Sequence, residues 1–151
     1  MLKICDYSKE FLEYSWEWLN DKEIKELTMT PDFTKQEQNE FYQSLDDRID
    51  YKIFGIKIDN EPAGACGLKH ITKEEAEYWG YIGDKHHWGE GYGVQIINEM
   101  IHVAKKAGIS NVYLNVIKTN TRATDLYLKY GFLIDHELST ADVWHMYLNI
   151  R

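Results

Sequence analysis

The sequence predicts an α+β fold, an α/β sandwich on a mixed, mostly antiparallel sheet of six to seven strands. Three observations lead there. Residues 51–82 hold three successive strand-like segments. Residues 75–118 run strand, glycine-rich loop, amphipathic helix, apolar strand, the pattern of one right-handed βαβ unit. Two further strand-like segments close the chain after a short helix. The length of 151 residues suits one domain over 1–151 with its own core. There are only two prolines, and no repeat or low-complexity stretch marks a boundary.

Each element has a local cause. LKICDY at 2–7 reads as a short strand. Phe11, Leu12, Trp16 and Leu19 fall at helical spacing over 9–21, and a second helical piece fits 23–27. Pro31 interrupts the pattern. Thr34 with Glu37 three residues later forms a capping box for a helix to about residue 48. YKIFGIKID at 51–59 alternates as a strand, DNEP at 59–62 reads as a turn, and AGACGLKHIT at 63–72 returns. EAEYWGYI at 75–82 is the next strand. The helix opening near 91 carries Val94, Ile97, Met100, Ile101 and Ala104 on one face, and Gly108 stops it. NVYLNVIK at 111–118 is β-branched and apolar, as a buried parallel strand should be. Residues 120–130 read as a helix ended by Gly131. Strands at 132–138 and 143–150 finish the chain.

Composition narrows the function. Aromatic residues make up 14% of the chain, with five Trp and eleven Tyr, and most such rings fill cores. A net charge of −8 argues against nucleic acid or an anionic membrane as partner, because both require a basic surface, and it suits a cationic substrate. Cys5 and Cys66 form neither a disulfide framework nor a zinc pattern, and Cys66 reads as a buried filler. No signal peptide or membrane-spanning run is read, so the expected location is cytoplasmic. His86 and His87 are adjacent and lack a third ligand at useful spacing, so no metal is expected.

The loop HWGEGYG at 87–93 lies between a strand and a long helix. A helix N-terminus presents unpaired N–H groups and the positive end of the macrodipole. Glycines let a ligand approach the backbone closely. Together they suit a phosphate or diphosphate. Lys85, His86 and His87 are expected to add positive potential. The glycine spacing fits neither a P-loop nor a dinucleotide fingerprint.

The segment YIGDKHHWGEGYGVQIINEMIHVAKKAG followed by NVYLNVIKTNTRATDLYLKYGF resembles the GNAT acetyltransferase superfamily. Gly91 and Gly93 match the acetyl-CoA motif, and Trp88 stands where Arg or Gln is usual. Asn120, Ala123, Leu126, Tyr127, Gly131 and Phe132 match the downstream motif. The N-terminal WEWLNDKEI and the form WGxGYG are similar to a branch holding ribosomal-protein acetyltransferases and relatives that act on small amines and amino sugars.

The resemblance implies helices on both sheet faces and acetyl-CoA as cosubstrate. Strands 75–82 and 111–118 should splay, admitting pantetheine beside Tyr81, Ile82 and Gly83. Diphosphate should lie on Trp88, Gly89, Glu90, Gly91, Tyr92, Gly93 and Val94, and Asn120 should bind the cofactor. A neutral amine attacks the thioester directly. Tyr127 is implied as the donor to the departing thiolate, Glu77 as the base, and a backbone N–H near Ile82 or Gly83 as the oxyanion donor. His70 and His145 carry imidazoles, a side chain suited to moving protons, but read as structural strand histidines. The implied acceptor is a small amine (a polyamine, an amino sugar or an amino-acid-like compound), touched by 9–48 and the 133–145 hairpin. A protein N-terminus or lysine and a non-catalytic acyl-CoA-binding module are the alternatives. A monomer or homodimer is expected.

Overall fold

In a computed structural model describing residues 1–151, the chain runs β1 (Leu2–Asp6), α1 (Lys9–Asn20), α2 (Lys22–Leu27), α3 (Lys35–Ser44), β2 (Lys52–Ile58), β3 (Glu61–Lys69), β4 (Glu75–Ile82), α4 (Tyr92–Lys106), β5 (Asn111–Ile117), α5 (Thr121–Tyr130), β6 (Leu133–Asp135) and β7 (Val143–Asn149). One seven-stranded sheet results, in the order β1-β2-β3-β4-β5-β7-β6. Every neighbouring pair is antiparallel except β4 and β5. No helix is long and apolar enough to cross a membrane.

Helices cover both faces because strand side chains alternate. Phe11 of α1 lies against Gly55 of β2, where any Cβ would strike its ring. The next residue, Ile56, points the other way, into the main core with Ile97, Met100 and Ala104 of α4. Cys66 is fully buried in that core, as expected, and burial pushes its thiol up. The capping box at α3 is present: Glu37 N–H donates to Thr34 Oγ1 at 3.1 Å, and Thr34 N–H donates to Glu37 Oε1 at 3.0 Å.

Four expectations shift. The β2–β3 turn is two residues, not four. Asp59 and Asn60 have φ of 51° and 68°, the left-handed pair of a tight hairpin turn. Pro62 therefore already sits in β3, opposite Lys57 at a register shift, where its missing N–H is tolerated. The helix begun at Lys35 stops at Ser44 and ends in a single 3-10 turn over Leu45–Asp47. β6 is three residues long, because the Asp135 carboxylate accepts from the N–H groups of Glu137 and Leu138 (3.0 and 3.1 Å) and turns the chain out of the ladder. Val94 is 47% exposed and lines a cavity, and Ile96 takes its place on the buried face of α4.

Candidate active site

β4 and β5 pair only at Glu75–Asn111, Ala76–Val112 and Glu77–Tyr113. Past Glu77 the two strands part. Gly83 and Asp84 both donate their N–H groups to Ala63 O, at 2.7 and 3.1 Å. By strand alternation, Tyr78, Gly80 and Ile82 turn their backbone polar groups the other way, into the gap. Gly83 N–H is thus spent on β3 and does not serve as the oxyanion donor, whereas Ile82 faces the gap. The gap opens a cavity of about 1390 Å³. A pocket for one small ligand typically holds about 300–1,000 Å³, so this one has room for two reactants side by side.

One end of the cavity is the loop before α4. The Asp84 carboxylate accepts from His86 N–H at 3.1 Å and starts a 3-10 turn over Lys85–His87. Trp88 Nε1 then donates to Ile82 O at 2.8 Å, stapling the loop back onto β4. Gly89 and Gly91 have φ of 79° and 84°, which β-carbon-bearing residues rarely adopt. Gly91 caps α4 without a side chain. None of the backbone N–H groups of residues 89–94 donates within the chain. This run of free amides at the positive end of a fifteen-residue helix suits a diphosphate. Tyr81, Ile82, Trp88, Gly89, Gly91, Tyr92, Gly93 and Val94 all line the cavity, whereas Glu90 binds His87 Nδ1 at 2.7 Å.

The expected positive potential is redistributed. Lys85 reaches Asp21 and Glu23 at 2.9 and 3.0 Å, His86 pairs with Asp84, and His87 pairs with Glu90. The cation at the loop is instead Arg122, whose guanidinium nitrogens stand 4.0 Å from where a Gly89 Cβ would lie.

α5 forms the adjoining wall. Asn120 caps it, with Oδ1 accepting from Ala123 N–H at 3.3 Å, which leaves its amide NH2 available. One helical turn after Ala123, Tyr127 packs edge-on to Tyr78 and against Phe132, at ring separations of 6.1 and 5.9 Å. Burial pushes the Tyr127 phenol up to about 12. It is therefore a protonated hydroxyl at neutral pH, able to donate.

The other end lies under α1–α3. Glu77, Trp79 and Tyr81 share one face of β4, as their spacing requires. Trp79 lies flat across Gly67, where a Cβ would come within 2.9 Å of its ring, and stacks near Tyr81. Its buried Nε1 has no hydrogen-bond partner. Tyr51 and Tyr81 complete an aromatic wall, and burial raises both phenols. Glu23, Glu37 and Glu77 bring carboxylates to the lining.

The Glu77 side chain is 12% exposed and held from three sides. Oε1 meets His70 Nδ1 at 2.9 Å. Oε2 accepts from Asn115 Nδ2 at 3.3 Å and lies 3.9 Å from Lys69 Nζ. Asn115 Oδ1 accepts from His145 Nδ1 at 3.0 Å, and the His145 ring stacks on Tyr113. His70 and His145 are therefore parts of one network around Glu77 rather than isolated strand histidines. The hairpin 133–145 does not line the cavity, because β7 inserts between β5 and β6 and carries β6 away; His145 reaches Glu77 only through Asn115. Residues 9–48 line it as expected, through Leu12, Glu23, Phe33 and Phe41 among others. Sequence reasoning missed Arg122 and Asn115. A basic residue in the first turn of a helix, where the dipole disfavours it, was the available signal for Arg122.

Five similarities bear on this geometry. The model of the acetyltransferase (GNAT) family matches residues 12–132. An uncharacterized N-acetyltransferase, YobR, of Bacillus subtilis is 29% identical over 97 residues, covering 64% of this chain and 39% of that protein. A probable spermine N(1)-acetyltransferase of Bacillus subtilis subsp. natto is 34% identical over 56 residues, 36% of this chain and 37% of that one. The matched segments thus span well under half the length of these two relatives. Among solved structures, the spermidine N-acetyltransferase of Vibrio cholerae in complex with CoA and spermine superposes with a TM-score of 0.87 at 20% identity, over 98% of this chain and 95% of that one. The Campylobacter jejuni N-acetyltransferase PseH in complex with acetyl coenzyme A gives 0.74 at 22% identity, over 99% of both chains. At such identities the structures share the fold, and the family match over residues 12–132 settles the rest: this chain belongs to the acetyltransferase (GNAT) family.

Proposed function

We propose that this protein transfers an acetyl group from acetyl-CoA to a primary amine of a small cationic molecule, with a polyamine the favoured class. The observation that carries the proposal is the continuity of the cavity. It joins the unpaired amides of residues 89–94 to a chamber of carboxylates and aromatic faces, through the gap past Glu77. Carboxylates attract an ammonium, and aromatic faces attract it through their quadrupoles. The net charge of −8 favours the same substrates. The spermine- and spermidine-acetylating relatives support the choice of class.

In this reading the amides of 89–94 hold the diphosphate, with Arg122 alongside. The Trp88 side chain acts by holding the loop rather than by touching phosphate. Backbone groups at Gly80 and Ile82 receive pantetheine in the manner of an added strand, and the Asn120 amide donates to it. Bound acetyl-CoA supplies an activated acyl carbon. Glu77 takes the proton that keeps the amine from attacking, directly or through one water. Tyr127 gives a proton to the departing sulfur. A gap-facing N–H of Gly80 or Ile82 is the donor for the carbonyl oxygen as charge develops there.

The test is thiol release from acetyl-CoA across spermine, spermidine, putrescine, amino sugars and short peptides. Turnover of the polyamines at low amine concentration is expected. Turnover of peptides alone would overturn the substrate class, and acetyl-CoA binding without any turnover would overturn the enzymatic reading. Trp88→Phe removes the 2.8 Å bond to Ile82 O. It is expected to raise KM for acetyl-CoA about tenfold, the worth of one well-made hydrogen bond, with kcat at saturation little changed.

A further inference from the structure

His70 follows the last residue of β3, and its backbone is unusual. Lys69 is the register partner of Glu77, so both side chains emerge on the same sheet face. In an extended strand the next residue would point to the opposite face. His70 instead has φ of 52°, a left-handed conformation costly for a residue with a Cβ. This turn brings its ring back to the Glu77 side, with Nδ1 2.9 Å from Oε1. The Glu77 side chain is 12% exposed, whereas that of His70 is 63% exposed. The strained residue thus connects a covered carboxylate to open water.

We infer that His70 is the proton outlet of Glu77, a positioning and relay residue that returns the carboxylate to its basic form after each turnover. This rests on the reading of Glu77 as base. The proton balance requires an exit. An ammonium and acetyl-CoA give an amide, CoA thiol and one free proton. Of the three ammonium protons, one stays on the amide nitrogen, one ends on sulfur, and one leaves. The leaving proton goes to Glu77, passes to His70 Nδ1, and departs to solvent from Nε2. An imidazole can do this near neutral pH because it accepts on one nitrogen while releasing from the other.

The surrounding groups are consistent with that direction. Asn115 occupies Oε2, and its own carbonyl is fixed by His145 Nδ1–H. Neither offers Glu77 a path to solvent through the amide. Lys69 Nζ stands 3.9 Å from Oε2, too far for a hydrogen bond along which a proton could pass. Asp50, paired with Arg48, lies close enough to His70 for each to feel the other's charge. Tyr51 and Tyr113 face Glu77 as phenols raised chiefly by burial, so they do not take its proton.

The experiment compares kcat, KM and the pH profile of His70→Asn, His70→Gly and Glu77→Gln with acetyl-CoA and spermidine. Asn and Gly both tolerate the left-handed backbone, so the turn is kept. His70→Asn is expected to lose about tenfold in kcat near neutral pH, less than a group acting on the substrate itself, with KM for acetyl-CoA unchanged. Added imidazole is expected to restore His70→Gly in a saturable manner. Wild-type kcat and pH profile in His70→Asn, or a His70→Gly deficit indifferent to imidazole, would overturn the relay. If Glu77→Gln collapses while His70→Asn is unaffected, only the relay fails. If Glu77→Gln also keeps wild-type rates, the base assignment itself is wrong.

Discussion

Replacing Glu77 with glutamine is expected to lower kcat by about 10²- to 10⁴-fold near neutral pH, the usual worth of a positioned acid or base. The size follows from the substrate. An alkyl ammonium with a pKa of about 10.4 is neutral in roughly one molecule per thousand at pH 7.4, so a base in the site has much to supply. The same arithmetic gives the pH dependence. In the wild type the ammonium is deprotonated within the site, so the rate does not track the fraction of free neutral amine. In Glu77→Gln the rate does track that fraction, falling as acid protonates the amine, and the deficit shrinks as pH rises, because solution then provides the neutral amine. Glutamine keeps the shape and can still accept from Asn115, so thermal stability should change little. Steady-state kinetics across pH with spermidine checks both points; a Glu77→Gln profile parallel to that of the wild type would remove Glu77 as base.

Tyr127→Phe has the second largest expected effect, a loss of about 10² in kcat from the missing proton donor to sulfur, with KM for acetyl-CoA within a few-fold of wild type. The phenol is held by ring contacts with Tyr78 and Phe132, which phenylalanine preserves. Melting temperature should therefore stay close to wild type. Since burial pushes this phenol up to about 12, Tyr127 stays protonated well past neutrality and adds no alkaline limb in the ordinary range. A Phe variant turning over at wild-type rate would show that the thiolate leaves without help from α5.

The elements and the loop were legible because their causes are local. Thr34 with Glu37, Gly108 after α4 and Asn120 before α5 are end signals written within a few residues. Alternation in EAEYWGYI alone puts Glu77, Trp79 and Tyr81 on one face. What escaped is non-local. Glu77 and Asn115 are 38 positions apart, and Asn115 and His145 are 30 apart. Only the parting of β4 from β5, an absence of pairing, opens the cavity that Glu77 and Asn115 line. His70 looked like a strand histidine because its positive φ has no signature in sequence. Lys85 reads as a source of positive potential at the loop, and only the placement of Asp21 and Glu23 beside it shows that its charge is already paired. The 133–145 hairpin lies away from the cavity because β7 inserts between β5 and β6, an order that the chain sequence does not reveal.

A crystal structure with CoA bound would locate the coenzyme relative to the β4–β5 gap. The diphosphate is expected on the N–H groups of residues 89–94 and pantetheine threaded between β4 and β5, its sulfur within reach of Tyr127. Strands paired shut past Glu77, or a nucleotide seated on another surface, would contradict that placement.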